Sequence, residues 1–398
     1  MVRFLARRAA GGLVTLVLFV AALFFVVNSL IPGDFTSQFI MGGDAREALR
    51  ESLGLNRPLS EQFWVWMRGV LTLDLGTSFT GAPVWDAVRD AVATSSFVLV
   101  AAGLVAFPLG FWLGRLSAWG RERWFTVPTT AGAVVLLTAF PPAVAFLLER
   151  GVVNLTSPSI FNQLRHLDED LWPGVLRGRP GFEPIDPAGG PATPPEIFWN
   201  MVFISVVIVA VLVGVHALLA RMGRVFSVGV LSIVALVLAP LSWMAAGIGD
   251  RAFDLALSVL LLIVALIAVT FGEVLLVTDA AMVDSRSEDF VLTARAKGLP
   301  ERMVRDRHSA RAALLPIVSR LVVSIPYIFT GLVILEFVFD VQGGMGYLIF
   351  NAVQDQDTPM VVGAFAVLGV MTLLLRLALE VTIAVLDPRI RLPGVEGR

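Results

Sequence analysis

Eight stretches of the chain are long, apolar and poor in charge, and they constrain its fold more than any other feature. A helix crosses the hydrocarbon core of a bilayer with about 20 apolar residues, whereas buried helices of soluble proteins carry shorter apolar runs. The pattern therefore predicts an all-α polytopic membrane protein with eight spans. Five stretches contain no Asp, Glu, Lys or Arg: 10–31, 91–114, 124–148, 197–220 and 225–249. Three contain one or two charges: 255–277 with Glu273, 321–339 with Glu336, and 358–386 with Arg376 and Glu380.

The first stretch is expected to stay in the protein as a membrane span. It is longer than the apolar core of a signal peptide, and no small-x-small cleavage motif follows it between Ser29 and Pro32.

The distribution of charge predicts the orientation of the spans, because cytoplasmic segments of membrane proteins are enriched in Lys and Arg. With the N-terminus inside, the inner segments hold 19 basic and 9 acidic residues, and the outer segments hold 10 basic and 20 acidic residues. The net charge of −2 thus conceals a charge of +10 inside and −10 outside. An even number of spans places both termini in the cytoplasm. The predicted inner segments are 1–9, 115–123, 221–224, 279–320 and 387–398.

The outer segment 32–90 is predicted to contain two helices. Asp44 can cap a helix that ends at Gly54. After Pro58, the aromatic residues Trp64 and Trp66 favour a helix at the membrane interface, where Trp is common.

Several kinds of chemistry are excluded by missing residues. The chain has no cysteine, which excludes disulfides, thiol catalysis and Cys-ligated metal sites. Its one lysine, Lys297, is not part of a G-x-x-x-x-G-K phosphate-binding loop, so the chain is not a P-loop ATPase by itself. The histidines His166, His216 and His308 are scattered, and neither H-E-x-x-H nor G-x-S-x-G occurs. We therefore expect no catalytic residue, no metal site and no cofactor bound by this chain.

Charged side chains inside the membrane are candidates for function, because they are costly in lipid. Glu273 and Glu336 lie near the ends of their stretches, where a local partner or the interface is within reach. Arg376 and Glu380 are four residues apart on one helix face and can neutralise each other. Structural pairing and the lining of a pathway both stay open for these four residues.

The inner segment 279–320 holds eight of the 30 basic residues. A short helix is predicted over 288–297, with Gly298 as its C-terminal stop. Pro300 suits the first turn of a second helix. Two short helices that meet at a glycine form a compact projection that can dock into another protein. An ordinary positive loop or a binding patch for lipid phosphates is the alternative.

The sequence from Glu288 to Pro316 resembles the EAA-type coupling loop of ABC importer permeases, specifically those of the dipeptide, oligopeptide and nickel subgroup. The A-R-A-K-G core at 294–298, His308, Arg311 and the closing Leu315-Pro316 carry this resemblance. Further segments resemble the same family: Pro32-Gly33-Asp34, Leu53-Gly54-Leu55, Asp74-Leu75-Gly76-Thr77-Ser78, Phe140-Pro141-Pro142, Glu336 to Leu348, Asp357 with Pro359, and Asp387 to Arg391.

The resemblance implies a type I ABC importer transmembrane fold with six core spans and two inserted spans. Residues 1–92 would hold the first span and the outer segment, 93–148 the next two spans, and 254–391 the remaining core. Residues 149–253 would be an inserted outer loop and two extra spans, and 392–398 a tail. From Arg177 to Pro195 the insertion has six prolines and four glycines, which favours an irregular loop.

The resemblance also implies a non-catalytic permease subunit of an ATP-driven importer in a prokaryotic inner membrane. Such a subunit translocates peptides or similar solutes by alternating access. Its implied partners are a second homologous permease, two ABC ATPase subunits that use ATP and Mg, and an extracytoplasmic solute-binding protein, with no nucleic acid. The residues predicted to couple to the ATPase are Glu288, Asp289, Ala294, Arg295, Ala296, Lys297, Gly298, Leu299, Arg302, Arg305 and His308.

Two other functions are open to a chain of this kind. An ion-coupled secondary carrier would bind its coupling ion at Glu273, Glu336 and Glu380. A membrane scaffold or sensor would transport nothing and would associate with no ATPase.

Overall fold

The computed structural model describes residues 2–30, 36, 43–52, 54–72, 74–120, 124, 126–155, 194–221, 228–249, 252, 256, 259–341 and 343–386. Within these ranges the chain is helical, apart from turns and one isolated bridge between Thr77 and Pro83. The helices are α1 Val2–Leu30, α2 Gly43–Ser52, α3 Leu59–Leu71, α4 Val84–Trp119, α5 Thr126–Thr138, α6 Pro141–Leu155, α7 Pro194–Arg221, α8 Val228–Ala245, α9 Leu260–Ser285, α10 Asp289–Ala296, α11 Glu301–Val338, α12 Met345–Gln354 and α13 Thr358–Leu386.

Six helices of the described chain are long and apolar enough to cross a membrane, namely α1, α4, α7, α9, α11 and α13. This supports the predicted all-α membrane fold but does not confirm eight spans. The predicted span 124–148 is divided into α5 and α6, which meet at an angle of 112°. Pro141 and Pro142 explain the break, because proline removes a backbone donor and clashes with the preceding turn. Counting this bent pair as one span gives seven.

The predicted span 225–249 contains only a shorter apolar helix, Val230–Ala245. At 1.5 Å per residue this helix is about 24 Å long, which is less than the hydrocarbon thickness of a bilayer. Pro240 lies inside it. The helices α7 and α8 pack on each other and on α4. Phe97 of α4 lies 5.3 Å from Phe198 and 6.1 Å from Trp243, measured between ring centroids.

The helix α9 lies at the centre of the bundle, packed against α4, α5 and α11. Small residues allow α4 to approach it closely. A Cβ atom placed on Gly110 would lie 2.8 Å from the Val274 side chain, and one on Gly114 would lie 2.7 Å from the carbonyl oxygen of Leu275. Real Cβ contacts are longer than this, so the two backbones touch at these glycines.

The two helices predicted in the outer segment are present as α2 and α3. Asp44 lies in the first turn of α2 rather than at its cap, and Gly54 has the positive φ of 70° that suits a chain reversal. The helix α3 packs on α1 through aromatic rings, with Phe24 5.5 Å from Phe63 and 5.9 Å from Trp66.

Other predicted segments fall wholly or partly outside the described residues. The irregular loop predicted from Arg177 to Pro195 is described only at its end, where Pro194 and Pro195 begin α7. The predicted inner segments 221–224 and 387–398, including the tail 392–398, lie outside except for Arg221.

Candidate functional site

The segment between α9 and α11 contains the short helix predicted over 288–297, with bounds Asp289–Ala296. Its C-terminal end is a Schellman motif centred on Gly298, which has a φ of 74°. The N–H of Gly298 donates to the carbonyl of Arg295, and that of Leu299 donates to the carbonyl of Ala294. Glycine takes this left-handed conformation without steric cost. Pro300 then precedes α11 with an extended backbone, so the chain turns sharply between the two helices.

A small apolar core fixes α10 against the rest of the protein. Val291, Ala294 and Val304 are buried, and Leu299 with Trp119 packs around them. Val291 and Ala294 are three residues apart and therefore lie on the same face of α10. Through Trp119 this core joins α10 to the C-terminal end of α4, and through Val304 it joins α10 to α11.

The Trp119 side chain is the centre of a polar cluster around this core. Its indole N–H donates to Glu301 Oε2 over 2.8 Å. Arg295 Nε lies 2.7 Å from Glu301 Oε1, and the guanidinium of Arg295 lies 5.7 Å from the Trp119 ring centroid. Arg286 approaches the same ring to 5.5 Å and donates to the carbonyl of Ala118 over 2.9 Å. Cations within about 6 Å of an aromatic ring are attracted by its quadrupole. These contacts connect α4, α10 and α11.

The first turns of α11 contain a π-helical segment, Val304–Ser309. Such wide turns are rare and often occur at functional sites. Asp306 accepts two hydrogen bonds of 2.7 Å from Arg305 and one of 3.3 Å from Arg115 of α4. Ser309 hydrogen-bonds to Ser285 at the end of α9. The start of α11 is thereby connected to both α4 and α9.

Three apolar side chains of this projection are exposed, namely Phe290, Leu292 and Met303, and we call them the docking face. Leu292 is 55% exposed. Exposed basic residues occur in the same projection. They are Lys297, Arg302, Arg307 and His308. Exposed apolar and polar side chains occur together in protein interfaces.

The predicted coupling residues divide into two groups in the structure. The exposed group comprises Glu288, Asp289, Ala296, Lys297, Gly298, Arg302 and His308. The inward group comprises Ala294, Arg295, Leu299 and Arg305. Ala294 and Leu299 belong to the small apolar core, Arg295 pairs with Glu301, and Arg305 pairs with its neighbour Asp306. Sequence analysis missed the partners Trp119, Glu301 and Asp306 and the exposed apolar side chains Phe290 and Leu292. The three-residue spacing of Val291 and Ala294 in the sequence indicates which face of α10 is buried.

The intramembrane carboxylates each have a partner in the described chain. Glu336 accepts hydrogen bonds from Ser95 Oγ over 2.6 Å and from the Gly346 N–H over 2.7 Å. Glu380 lies 3.2 Å from Arg376 Nε, one helical turn away. Arg376 is exposed and Glu380 is buried.

Glu273 of α9 faces α11 and is also buried. Ser324 donates a hydrogen bond to it, and Arg320 Nε lies 3.9 Å from its Oε1. Glu273, Glu336 and the Arg376–Glu380 pair therefore lie in three separate contacts. Among the residues that the structure describes, no group of three or more His, Asp or Glu could hold a metal ion.

Comparison with known proteins identifies the family of this chain. The model of the family "Binding-protein-dependent transport system inner membrane component" matches residues 91–392. The model of the corresponding N-terminal region, "Binding-prot-dependent transport system membrane comp, N-term", matches residues 1–88.

Several curated relatives match along their whole length. A probable D,D-dipeptide transport system permease protein, DdpB of Escherichia coli, is 28% identical over 395 residues, which cover 98% of both chains. A putative peptide permease protein of Brucella ovis is 27% identical over 403 residues, 98% of this chain and 99% of the relative. The oligopeptide transport system permease protein OppB of Haemophilus influenzae is 24% identical over 393 residues, 98% of this chain and 100% of the relative. The predicted resemblance is thus confirmed, and the chain belongs to the inner membrane components of binding-protein-dependent transport systems, the permeases of ABC importers.

Proposed function

We propose that this permease imports peptides by ATP-driven alternating access, and that the docking face couples its spans to an ATPase subunit. The single observation that carries this proposal is the construction of the projection. It exposes Phe290, Leu292 and Met303, while its inward side is bound to the ends of three membrane helices. Peptides are the proposed substrate because the relatives are named dipeptide, peptide and oligopeptide permeases.

In this mechanism the projection behaves as one rigid body. ATP and Mg bind to the partner subunits, and closure of the ATPase pair displaces the docking face. The Trp119–Glu301 hydrogen bond and the Arg115–Asp306 ion pair carry that displacement into α4 and α11. Packed interfaces switch between discrete arrangements rather than deforming continuously. The spans therefore swing between an inward-open and an outward-open state.

The remaining partners follow from the same assignment. A solute-binding protein delivers the peptide to the outer surface, and a second homologous permease completes the pathway. Two ATPase subunits dock from the cytoplasm, where both termini and the docking face lie. The excess of basic residues in the inner segments supports this orientation. This chain itself binds no cofactor and performs no covalent chemistry.

An ion-coupled carrier would bind its coupling ion with the intramembrane carboxylates. A coupling ion needs acceptor groups that converge on one place. Here Glu273 pairs with α11, Glu336 bonds to Ser95 and Gly346, and Glu380 bonds to Arg376. This separation favours ATP as the energy source over an ion gradient.

The proposal is tested by introducing a charged residue into the docking face. The measurement is whether the ATPase subunits still co-purify with the permease. Leu292→Asp is expected to abolish their co-purification with the permease and the stimulation of ATP hydrolysis by the binding protein. Val353→Asp is the matched control, because Val353 is a similarly exposed apolar residue on α12, on the predicted outer side. Val353→Asp should leave co-purification intact. Normal co-purification and stimulation in Leu292→Asp would contradict the proposed docking face.

A further inference from the structure

The Arg376–Glu380 pair of α13 combines an exposed guanidinium with a buried carboxylate. The side chain of Arg376 is 51% exposed and that of Glu380 is 8% exposed. Arg376 Nε donates a hydrogen bond of 3.2 Å to Glu380 Oε1. A guanidinium has five N–H donors, and this bond uses only the one on Nε. The carboxylate therefore holds the guanidinium from the protein side and leaves its two terminal amino groups at the surface.

Two helices place this pair at one boundary of the membrane. Arg376 follows the start of the α13 span, at Thr358, by 18 residues, or about 27 Å, and the hydrocarbon core of a bilayer is about 30 Å thick. On the neighbouring α1, a Cβ atom added to Gly12 would collide with the side chain of Leu373. Gly12 lies two residues inside the α1 span, which begins at Ala10. Since Arg376 is about one turn beyond Leu373, both helices place its guanidinium at the predicted cytoplasmic boundary.

The surface around this pair has the composition of a surface that faces lipid. The helix α1 lies at the edge of the bundle, where it packs on α13 and α3, whereas α9 lies at the centre. Beside Gly12, the side chains of Leu13 and Val14 are exposed, and Leu18 continues this exposed apolar face one turn deeper. Leu374 is exposed on α13. At the edge of such a surface, the long apolar stem of an arginine lies along hydrocarbon and its charged end reaches the headgroups.

We propose that Arg376, held by Glu380, is a binding site for the phosphate group of an anionic phospholipid in the inner leaflet. Arginine binds phosphate with two parallel hydrogen bonds, and the terminal amino groups of Arg376 are free of Glu380 for this contact. A free phosphate ion has the same chemistry but no acyl chains to pack on the exposed Leu13 and Val14. The apolar surroundings therefore favour a lipid. This inference depends on the position of α13 in the membrane and not on the transported solute.

Lipid binding is measured by native mass spectrometry of the assembled transporter in mild detergent, titrated with dioleoylphosphatidylglycerol. Arg376→Gln should lower the affinity for one bound lipid about tenfold, the effect of one lost charge-assisted hydrogen bond. Arg376→Lys should be intermediate, because an ammonium keeps the charge but not the two parallel bonds. Arg57→Gln is the control, since Arg57 is also exposed but lies in the predicted outer segment. Equal lipid binding by Arg376→Gln and the unmodified complex would overturn the site.

A double variant separates lost binding from lost folding. Removing the cation beside a buried carboxylate destabilises the surrounding packing, whereas Arg376→Gln combined with Glu380→Gln leaves a neutral pair. The double variant should assemble normally and bind the lipid as weakly as Arg376→Gln. Lipid binding at the unmodified level in the double variant would contradict the proposal. Inorganic phosphate at millimolar concentration should not displace the lipid, and displacement would assign the site to a free anion instead.

The position of the site is tested with nitroxide labels on cysteines in proteoliposomes, because the native chain has no cysteine. The cysteines of the partner subunits are replaced by serine. A label on Arg376→Cys should be relaxed by nickel-chelating lipid headgroups, which lie at the membrane surface. A label on Leu18→Cys is the control and should respond to oxygen instead, since Leu18 is exposed about 12 Å inside the α1 span. No response to nickel lipid at 376 would show that protein covers Arg376, and would overturn the lipid site.

Discussion

Trp119 donates its indole N–H to Glu301 across 182 residues of sequence, and this 2.8 Å hydrogen bond joins the C-terminal end of α4 to the first turn of α11. The same carboxylate binds Arg295 of α10. One acidic side chain thus connects three helices at the base of the docking face. In the proposed mechanism, these contacts transmit movement of α10 to the spans.

Replacing Trp119 is therefore expected to uncouple ATP hydrolysis from transport. Trp119→Phe keeps much of the packing but removes the hydrogen bond, so it should lower coupling partially, whereas Trp119→Ala should remove most of it. The measurement is peptide uptake per ATP hydrolysed in proteoliposomes. Trp124→Ala is the control, because Trp124 follows shortly in the chain but is 88% exposed. Equal effects of Trp119→Ala and Trp124→Ala would argue against this role.

The turn after α10 gives a second prediction. Gly298→Ala forces an L-residue into a φ of 74°, which costs about 1 kcal/mol. A Cβ atom there would meet no atom of the surrounding protein within 4 Å, so the cost comes from the local backbone and not from tertiary contacts. Gly298→Asn should be milder, because Asn tolerates this conformation. Thermal unfolding in detergent and stimulated ATP hydrolysis should both decline in the order wild type, Asn, Ala.

Gly103 serves as the control for the loss of backbone freedom that any Gly→Ala substitution causes. Gly103 lies inside α4, and a Cβ atom there would also meet nothing within 4 Å. Gly103→Ala should leave stability unchanged or raise it, because alanine is the better helix former. If Gly103→Ala lowered stability as much as Gly298→Ala, the effect at Gly298 would not be specific to the turn.

The short helices and turns could be predicted from local sequence, whereas the break in a span and the contacts between distant helices could not. The helix α10 was predictable because Gly298 and Pro300 mark its end and the start of the next helix within three residues. The break between α5 and α6 was missed because the stretch 124–148 is apolar throughout, and apolarity alone predicts one continuous span. The Trp119–Glu301 contact was not predictable, because spacing on one helix says nothing about a partner 182 residues away.

The close contact of α4 and α9 predicts that larger residues at Gly114 will destabilise the bundle. A Cβ atom at this position would lie 2.7 Å from the carbonyl oxygen of Leu275 and 2.7 Å from Thr278 Cβ. Gly114→Val should lower stability by about 1–3 kcal/mol, the usual effect of overpacking. Thermal unfolding of the detergent-solubilised permease measures this. Gly132→Val on α5, where a Cβ atom meets nothing within 4 Å, should have a clearly smaller effect.

The proposed orientation predicts which side of the membrane each exposed residue faces. A cysteine in place of Lys297 should react with an impermeant thiol reagent only after the cells are permeabilised. Val353→Cys on α12 should react in intact cells. Both residues are exposed, and the native chain has no cysteine to compete. Reversed accessibility of the two sites would invert the topology and place the docking face outside the cell.

The contact of Ser95 with Glu336 predicts strong coupling between these two residues in stability measurements. Glu336 is fully buried, and Ser95 both donates to it and accepts the Met345 N–H over 3.0 Å. Ser95→Ala leaves that N–H and one carboxylate oxygen without a partner, and each unsatisfied buried group costs about 1–3 kcal/mol. Glu336→Ala likewise strands the Gly346 N–H. Because the two single changes share one lost bond, the double variant should be less destabilised than the sum of the singles. Additive effects in this double-mutant cycle, measured by unfolding in detergent, would show that the bond contributes nothing to holding α12 against α4 and α11.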